Sequence, residues 1–183
     1  MKVLTIAGSL RRDSSNTALL RAAASVAPPG MEFRFYEGLA RLPHFNPDMD
    51  GEGDVPPEPV REWRTAAAAA DGVVISSPEY AHGVPGSLKN ALDWLVSSGE
   101  LIDTPVILLN ASPSGGSHAQ ASLAETLTMM SARVLVEASQ TEPFLRRKLV
   151  PGDALDPATA ATVRASLAAL ASALNAVTTD REG

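Results

Sequence analysis

Val3-Leu4-Thr5-Ile6-Ala7 runs directly into Gly8-Ser9-Leu10-Arg11-Arg12-Asp13-Ser14-Ser15-Asn16-Thr17, and this stretch decides the fold. A short, mostly apolar run stopped by glycine is the pattern of a strand buried on both faces. The serines and asparagine after it are residues that start helices, and a helical pattern follows from about Thr17 to Val26. The chain therefore opens as strand, polar loop, helix.

The same unit recurs along the chain. Phe33 and Phe35, alternating with Glu32 and Arg34, predict a second strand nearer an edge. Val60, Trp63, Ala67 and Ala70 keep helical spacing, and Gly72 to Ser76 is a third strand. Val106 to Leu109 is a fourth, a helix is expected from about Gln120 to Ser131, and a fifth strand near Val134-Leu135-Val136. Asp156-Pro157 marks the start of the last helix, whose stripe is Val163, Leu167, Leu170, Leu174 and Val177. Such alternation implies an α/β flavodoxin-like three-layer sandwich with a five-stranded parallel sheet in the order 2-1-3-4-5. Ligands then sit beyond the carboxyl ends of the strands, at the switch point between the first and third. Residues 46–59, rich in proline, glycine and acid, read as a surface excursion, so residues 1–183 are expected to form a single domain.

Composition narrows the function. With 45% apolar residues in 183, the chain has enough material for one core. A net charge of −6 gives no basic face for nucleic acid. No apolar run is long enough to span a bilayer, and Val3 to Ala7 is too short for a secretory signal, so a cytoplasmic protein is expected. The absence of cysteine removes thiolate chemistry and iron–sulfur ligation, so any redox chemistry belongs to a bound cofactor. Three widely spaced histidines offer no metal site.

The loop after the first strand has the chemistry of a phosphate cradle. Free backbone N–H groups at a helix start converge on an anion, and the helix dipole favours it. Ser9, Ser14 and Thr17 add hydroxyls, Asn16 an amide and Arg11 a charged fork; Ser15 lies in the same loop. A charge pair near 4 Å is worth about 4 kcal/mol at intermediate dielectric, against roughly 0.3–1 kcal/mol for the helix terminus, so Arg11 should dominate the charge contribution. Dinucleotide and nucleotide glycine fingerprints are absent, and a phosphatase loop would need cysteine. A Ser-rich helix cap beside a solvated arginine pair is the plainer alternative for this block alone.

The third strand runs into Ser77-Pro78-Glu79-Tyr80-Ala81-His82-Gly83-Val84-Pro85-Gly86, then a helix through Leu88, Lys89, Asn90, Ala91, Leu92, Asp93 and Trp94. A rigid glycine-containing turn lets backbone approach the edge of a flat ring, which suits Pro78, Glu79, Tyr80, His82 and Gly83. His82 alone reads first as a polar loop residue. Ser112 and Gly115, in the loop after the fourth strand, would lie beside this turn. Trp94 falls off the core stripe of Leu88, Ala91, Leu92 and Leu95, near Asn90, which suggests a dimer interface; an isolated surface aromatic is the alternative.

These motifs resemble the NADPH-dependent FMN reductase family, flavodoxin-like flavoproteins that include quinone, chromate and azo-dye reductases. The likeness rests on Gly8-Ser9-Leu10-Arg11 with Ser14 and Asn16, and on Leu42-Pro43-His44-Phe45-Asn46-Pro47-Asp48. It continues through Pro78-Glu79-Tyr80, Val84-Pro85-Gly86, Leu88-Lys89-Asn90-Ala91 and Asp93-Trp94. By that resemblance Ser9, Arg11, Ser14, Asn16 and Thr17 bind the FMN phosphate, and Pro78, Glu79, Tyr80 and Gly83 line the isoalloxazine. It implies a two-step oxidoreductase in which NADPH or NADH is the electron donor. Quinones, azo compounds, metal oxyanions or free flavin are the acceptors. It also implies a homodimer, often paired into a tetramer. The alternative is a flavodoxin-like electron carrier without NAD(P)H turnover. One departure stands out: the family commonly has asparagine after Pro-Glu-Tyr, and this chain has Ala81.

Overall fold

In the computed structural model of the chain, which describes residues 1–112, 115–139, 149, 152 and 154–182 (side chains to 176), β1 (Lys2–Ala7) lies near the middle of a five-stranded parallel sheet. It pairs with β2 (Glu32–Tyr36) on one side and β3 (Gly72–Ser76) on the other. The strand β4 (Pro105–Leu109) follows beyond β3, and β5 (Arg133–Val134) closes the far edge. The order is β2-β1-β3-β4-β5. Every residue of β3 and β4 is buried, as central strands covered on both faces require. On β2 exposed and half-buried residues alternate, as expected of an edge.

Helices cover both faces. The helices α1 (Ser15–Ser25) and α5 (Pro157–Glu182) lie against Val3, Val74, Ile107 and Leu109. The helices α2 (Glu58–Ala68), α3 (Gly86–Asp93) and α4 (Ser117–Met129) cover Leu4, Ile6, Val73, Ile75, Val106 and Leu108. Strand residues alternate strictly between the two cores, as the two-residue period demands. Asp156 starts α5 by accepting from Ala158 and Thr159 N–H, both at 3.1 Å. Val163, Leu167, Leu170 and Leu174 are buried as their spacing predicts, while the side chain of Val177 lies outside the described residues.

Three expected boundaries shift. α1 begins at Ser15, because Ser14 is its N-cap. α4 begins at Ser117 rather than Gln120 and ends at Met129. The fifth strand stops at Val134, and a 3-10 turn spans Val136–Ala138. Ser139 explains the early stop: its Oγ accepts from Leu108 N–H at 3.0 Å, taking the place of a strand carbonyl, and donates to Leu135 O at 2.9 Å.

Trp94 also differs from expectation. It is fully buried, so it is not an interface residue. Its Nε1 donates to Pro43 O at 2.9 Å and its ring meets Phe45 edge-on at 5.0 Å. Asn90 completes the clamp, with Nδ2 donating to Pro43 O and Oδ1 accepting from Phe45 N–H. Two motifs distant in sequence, residues 42–48 and 88–94, are thus structural partners.

The excursion after residue 46 is pinned at Asp50. Arg64 of α2 donates to both Asp50 carboxylate oxygens at 2.8 Å and to Trp94 O at 2.7 Å. No helix among the described residues is long and apolar enough to cross a membrane.

Candidate active site

The carboxyl ends of β1, β3 and β4 release three loops around one cavity of about 570 Å³, within the range of about 300–1,000 Å³ typical of small-molecule sites. Gly8 makes the junction possible. Its N–H donates to Ser76 O at 2.9 Å, and a Cβ there would come within 2.5 Å of Ser77 Oγ. The first loop can therefore lie close against β3 only with glycine at this point.

From that loop Ser9, Arg11, Asp13, Ser14, Ser15 and Asn16 line the cavity. Ser9 Oγ accepts from Arg11 N–H at 3.3 Å, and Ser14 Oγ accepts from Thr17 N–H at 3.4 Å. The N–H groups of Ser15 and Asn16, in the first turn of α1, have no intrahelical acceptor. Asn16 is buried, and its Oδ1 accepts from Ser76 Oγ at 2.9 Å. That contact turns the oxygen away and leaves the amide NH₂ as donor. The Ser15 hydroxyl donates to Leu149 O at 2.8 Å, so its side chain anchors a distant segment. Thr17 lies on the opposite side of the loop, on the wall of another cavity. Asp13, which sequence reasoning passed over, lines the same cavity as Arg11 and brings a negative charge to it. The backbone donors and hydroxyls therefore carry more of the anion preference than Arg11 alone would suggest.

The second loop supplies Pro78, Glu79 and Tyr80. Tyr80 and Gly83 exchange both backbone hydrogen bonds, at 3.0 and 2.9 Å, around Ala81 and His82. Both central residues have positive φ, 49° and 60°, the conformation of a type I′ turn. Asparagine tolerates that conformation better than alanine, so a family preference for asparagine here has a backbone reason. His82 and Gly83 do not line the cavity. Instead the His82 ring stacks on His118, with centroids 4.2 Å apart and planes 8° from parallel.

The third loop contributes Ala111, Ser112, Gly115 and Gly116, and α4 presents Ser117 and His118. Pro113 and Ser114 lie outside the described residues. α4 has no side-chain cap of its own at Gly116. Glu79 supplies one from across the cavity, with Oε2 accepting from Ala119 N–H at 3.0 Å. The carboxylate thus fastens the second loop to the third. The His82–His118 pair escaped sequence reading because the two lie 36 positions apart on different elements.

Residues 1–142 match the NADPH-dependent FMN reductase family. The chain belongs to that family. It is 33% identical over 165 residues to a quinone reductase of Escherichia coli, covering 87% of each chain. It is 35% identical over 139 residues to an NAD(P)H-dependent FMN reductase of Pseudomonas aeruginosa, covering 74% of each. Among solved structures it is similar to FerB, a flavoenzyme NAD(P)H:acceptor oxidoreductase from Paracoccus denitrificans. There the TM-score is 0.81 and the identity 26%, over 95% of this chain and 97% of that one. The FMN reductase reading agrees with the donor set: free N–H groups and an amide at one end of the cavity, and a rigid turn at the other. The chain is an FMN-dependent oxidoreductase with NAD(P)H as electron donor.

Proposed function

We propose that this FMN reductase reduces quinones, and that its cavity holds FMN with the phosphate at the start of α1 and the ring along Pro78–Tyr80. The observation that carries the reading is a set of donors at the β1/β3 switch, on residues that line one cavity and with no acceptor among the described residues: Ser15 and Asn16 N–H and the Asn16 amide. The chemistry supplied by bound FMN is two-electron transfer from NAD(P)H to an acceptor. The chain's own part is binding and positioning. Arg11, Ser9 and Ser14 hold the phosphate, with Ser112 and Gly115 on the opposing wall. Glu79, by capping α4, fixes the distance between the loops that flank the ring. Tyr80 is 58% exposed at the rim and leaves an approach open to donor and acceptor. No side chain is required as acid or base.

Quinones are the acceptors because the Escherichia coli relative that matches along most of its length is a quinone reductase. Residues 1–183 act as one cytoplasmic domain that pairs as a homodimer. Val96 and Ile102, 62% and 57% exposed just beyond Trp94, are the apolar residues for that contact. Fluorescence titration of Arg11→Ala with FMN tests the assignment. Affinity falls about tenfold, which corresponds to roughly 1.4 kcal/mol. Unchanged affinity removes Arg11 from the phosphate cradle.

A further inference from the structure

The stacked pair His82 and His118 takes no part in the proposed hold on FMN, yet it stands at the rim of the same cavity. His118 lies in the first turn of α4 and lines the cavity, whereas His82, in the turn of the second loop, does not. With centroids 4.2 Å apart and planes 8° from parallel, His82 covers one face of the His118 ring. The other face and the edge are left to the cavity and to solvent. Both residues are exposed, and among the described residues neither imidazole has a hydrogen bond. The stack alone orients them.

The backbone beneath the pair is fixed on both sides. His82 has φ 60°, in the left-handed region, inside a turn closed by both Tyr80–Gly83 backbone hydrogen bonds. His118 sits on a helix end whose next N–H, that of Ala119, is held by Glu79. Because Glu79 already joins the second loop to the third, the stack is not needed to fasten them. What the pair adds is a flat ring, backed by a second ring, on the cavity wall. Planar conjugated groups stack on histidine as they do on phenylalanine, tyrosine and tryptophan, and such a contact contributes beyond the area it buries. A compact inorganic acceptor has no face to lay against it. Tyr80, 58% exposed, lines the same cavity, so aromatic surface stands on both the second and the third loop.

We infer that the His118 ring, backed by His82, is the platform on which a planar acceptor is laid, and that it favours flat conjugated acceptors such as quinones over compact inorganic ones. His118 is the specificity-determining residue, and His82 is a positioning residue that acts through it. The inference deepens the quinone reductase reading and rests on it.

Titration of the oxidised, FMN-loaded protein with 2,3-dimethyl-1,4-naphthoquinone tests it by binding alone, since oxidised flavin does not reduce the quinone. His118→Ala weakens binding about three- to tenfold, the worth of one aromatic pair, and His118→Phe, which keeps a flat ring, restores it. His82→Ala weakens binding about two- to threefold, and His82→Phe restores it. In steady-state turnover with NADPH the loss falls on KM for the quinone rather than on kcat. The ratio of kcat/KM for the quinone over that for ferricyanide drops with it. Both side chains are exposed, and retention of FMN by each variant reports that the fold is intact. No quinone binding by the wild type, equal binding by wild type and His118→Ala, failure of His118→Phe to restore it, or an equal loss with ferricyanide overturns the inference. A wild type that binds the quinone with this pattern but reduces it with neither NADPH nor NADH would instead contradict the quinone reductase reading and leave the platform standing as a binding site.

Discussion

Removing the Glu79 carboxylate tests how the cavity is held together. Glu79 Oε2 accepts from Ala119 N–H at 3.0 Å, in the first turn of a helix whose N-cap position, Gly116, has no side chain to offer. Losing a side-chain cap costs about 0.5–2 kcal/mol, and a carboxylate near a helix N-terminus adds about 0.3–1 kcal/mol through the dipole. The two overlap, and Glu79 is half-buried, so Glu79→Ala is expected to cost about 1–2 kcal/mol in total. For a chain of this size that lowers Tm by roughly 2–8 °C. Glu79→Gln keeps an acceptor oxygen and loses only the charge, about 0.3–1 kcal/mol. The assay is urea unfolding, repeated with and without FMN and at low and high salt. The ranking Ala worse than Gln should hold without FMN, and the Gln deficit should shrink as salt screens the dipole. If the FMN-free Glu79→Ala protein is as stable as wild type, the carboxylate does not cap α4 and the account of the loop clamp is wrong.

Other perturbations probe neighbouring parts of the molecule. Ala81 sits at φ 49°. A left-handed non-glycine residue costs about 1–2 kcal/mol, partly offset in the unfolded chain on substitution by glycine, by about 0.4–1 kcal/mol. Ala81→Gly should therefore raise stability by about 0.5–1 kcal/mol, while β-branched Ala81→Val should lower it; thermal melts showing the opposite signs would refute the turn assignment. Arg64→Met leaves the Asp50 side chain, only 6% exposed, without its cation, with Ser97 Oγ as the remaining donor. A loss of about 3–5 kcal/mol in urea unfolding is expected, and a loss below about 1 kcal/mol, the value of a surface pair, would show that the excursion is not anchored there. Burial holds the Tyr36 phenol above its ordinary value, with Glu62 adding to the rise and Arg41 opposing it. Its contribution to stability is thus complete below about pH 10 and is lost as pH rises through the folded-state value. Tyr36→Phe, which also removes a buried hydroxyl without a partner, should flatten that alkaline decline; an unchanged profile would exclude Tyr36 as its source.

Periodicity in this chain carried the strands well, because β3 and β4 are uninterrupted apolar runs buried on both faces and α5 has a clear start at Asp156. It failed where a side chain replaces backbone. Ser139 takes over from the fifth strand, and no propensity announces that. The first two site loops were legible because serine, asparagine, proline and glycine mark a helix start and a turn. What the sequence conceals is direction. Asn16 offers its amide only because Ser76 holds its oxygen, Thr17 faces away from Asn16's cavity, and Glu79 spends its carboxylate on a helix 40 residues later. Trp94 misled for the same reason. Off the stripe of its own helix, it is buried by residues 43–45, which helical periodicity does not see.

The central claim is that the three loops bind FMN which NAD(P)H reduces. The direct test is the visible spectrum of the protein loaded with FMN and desalted, followed by anaerobic addition of NADPH and, separately, NADH. The account predicts flavin absorbance that stays with the protein and bleaches on addition of donor. Absorbance that persists unchanged with both donors would contradict it.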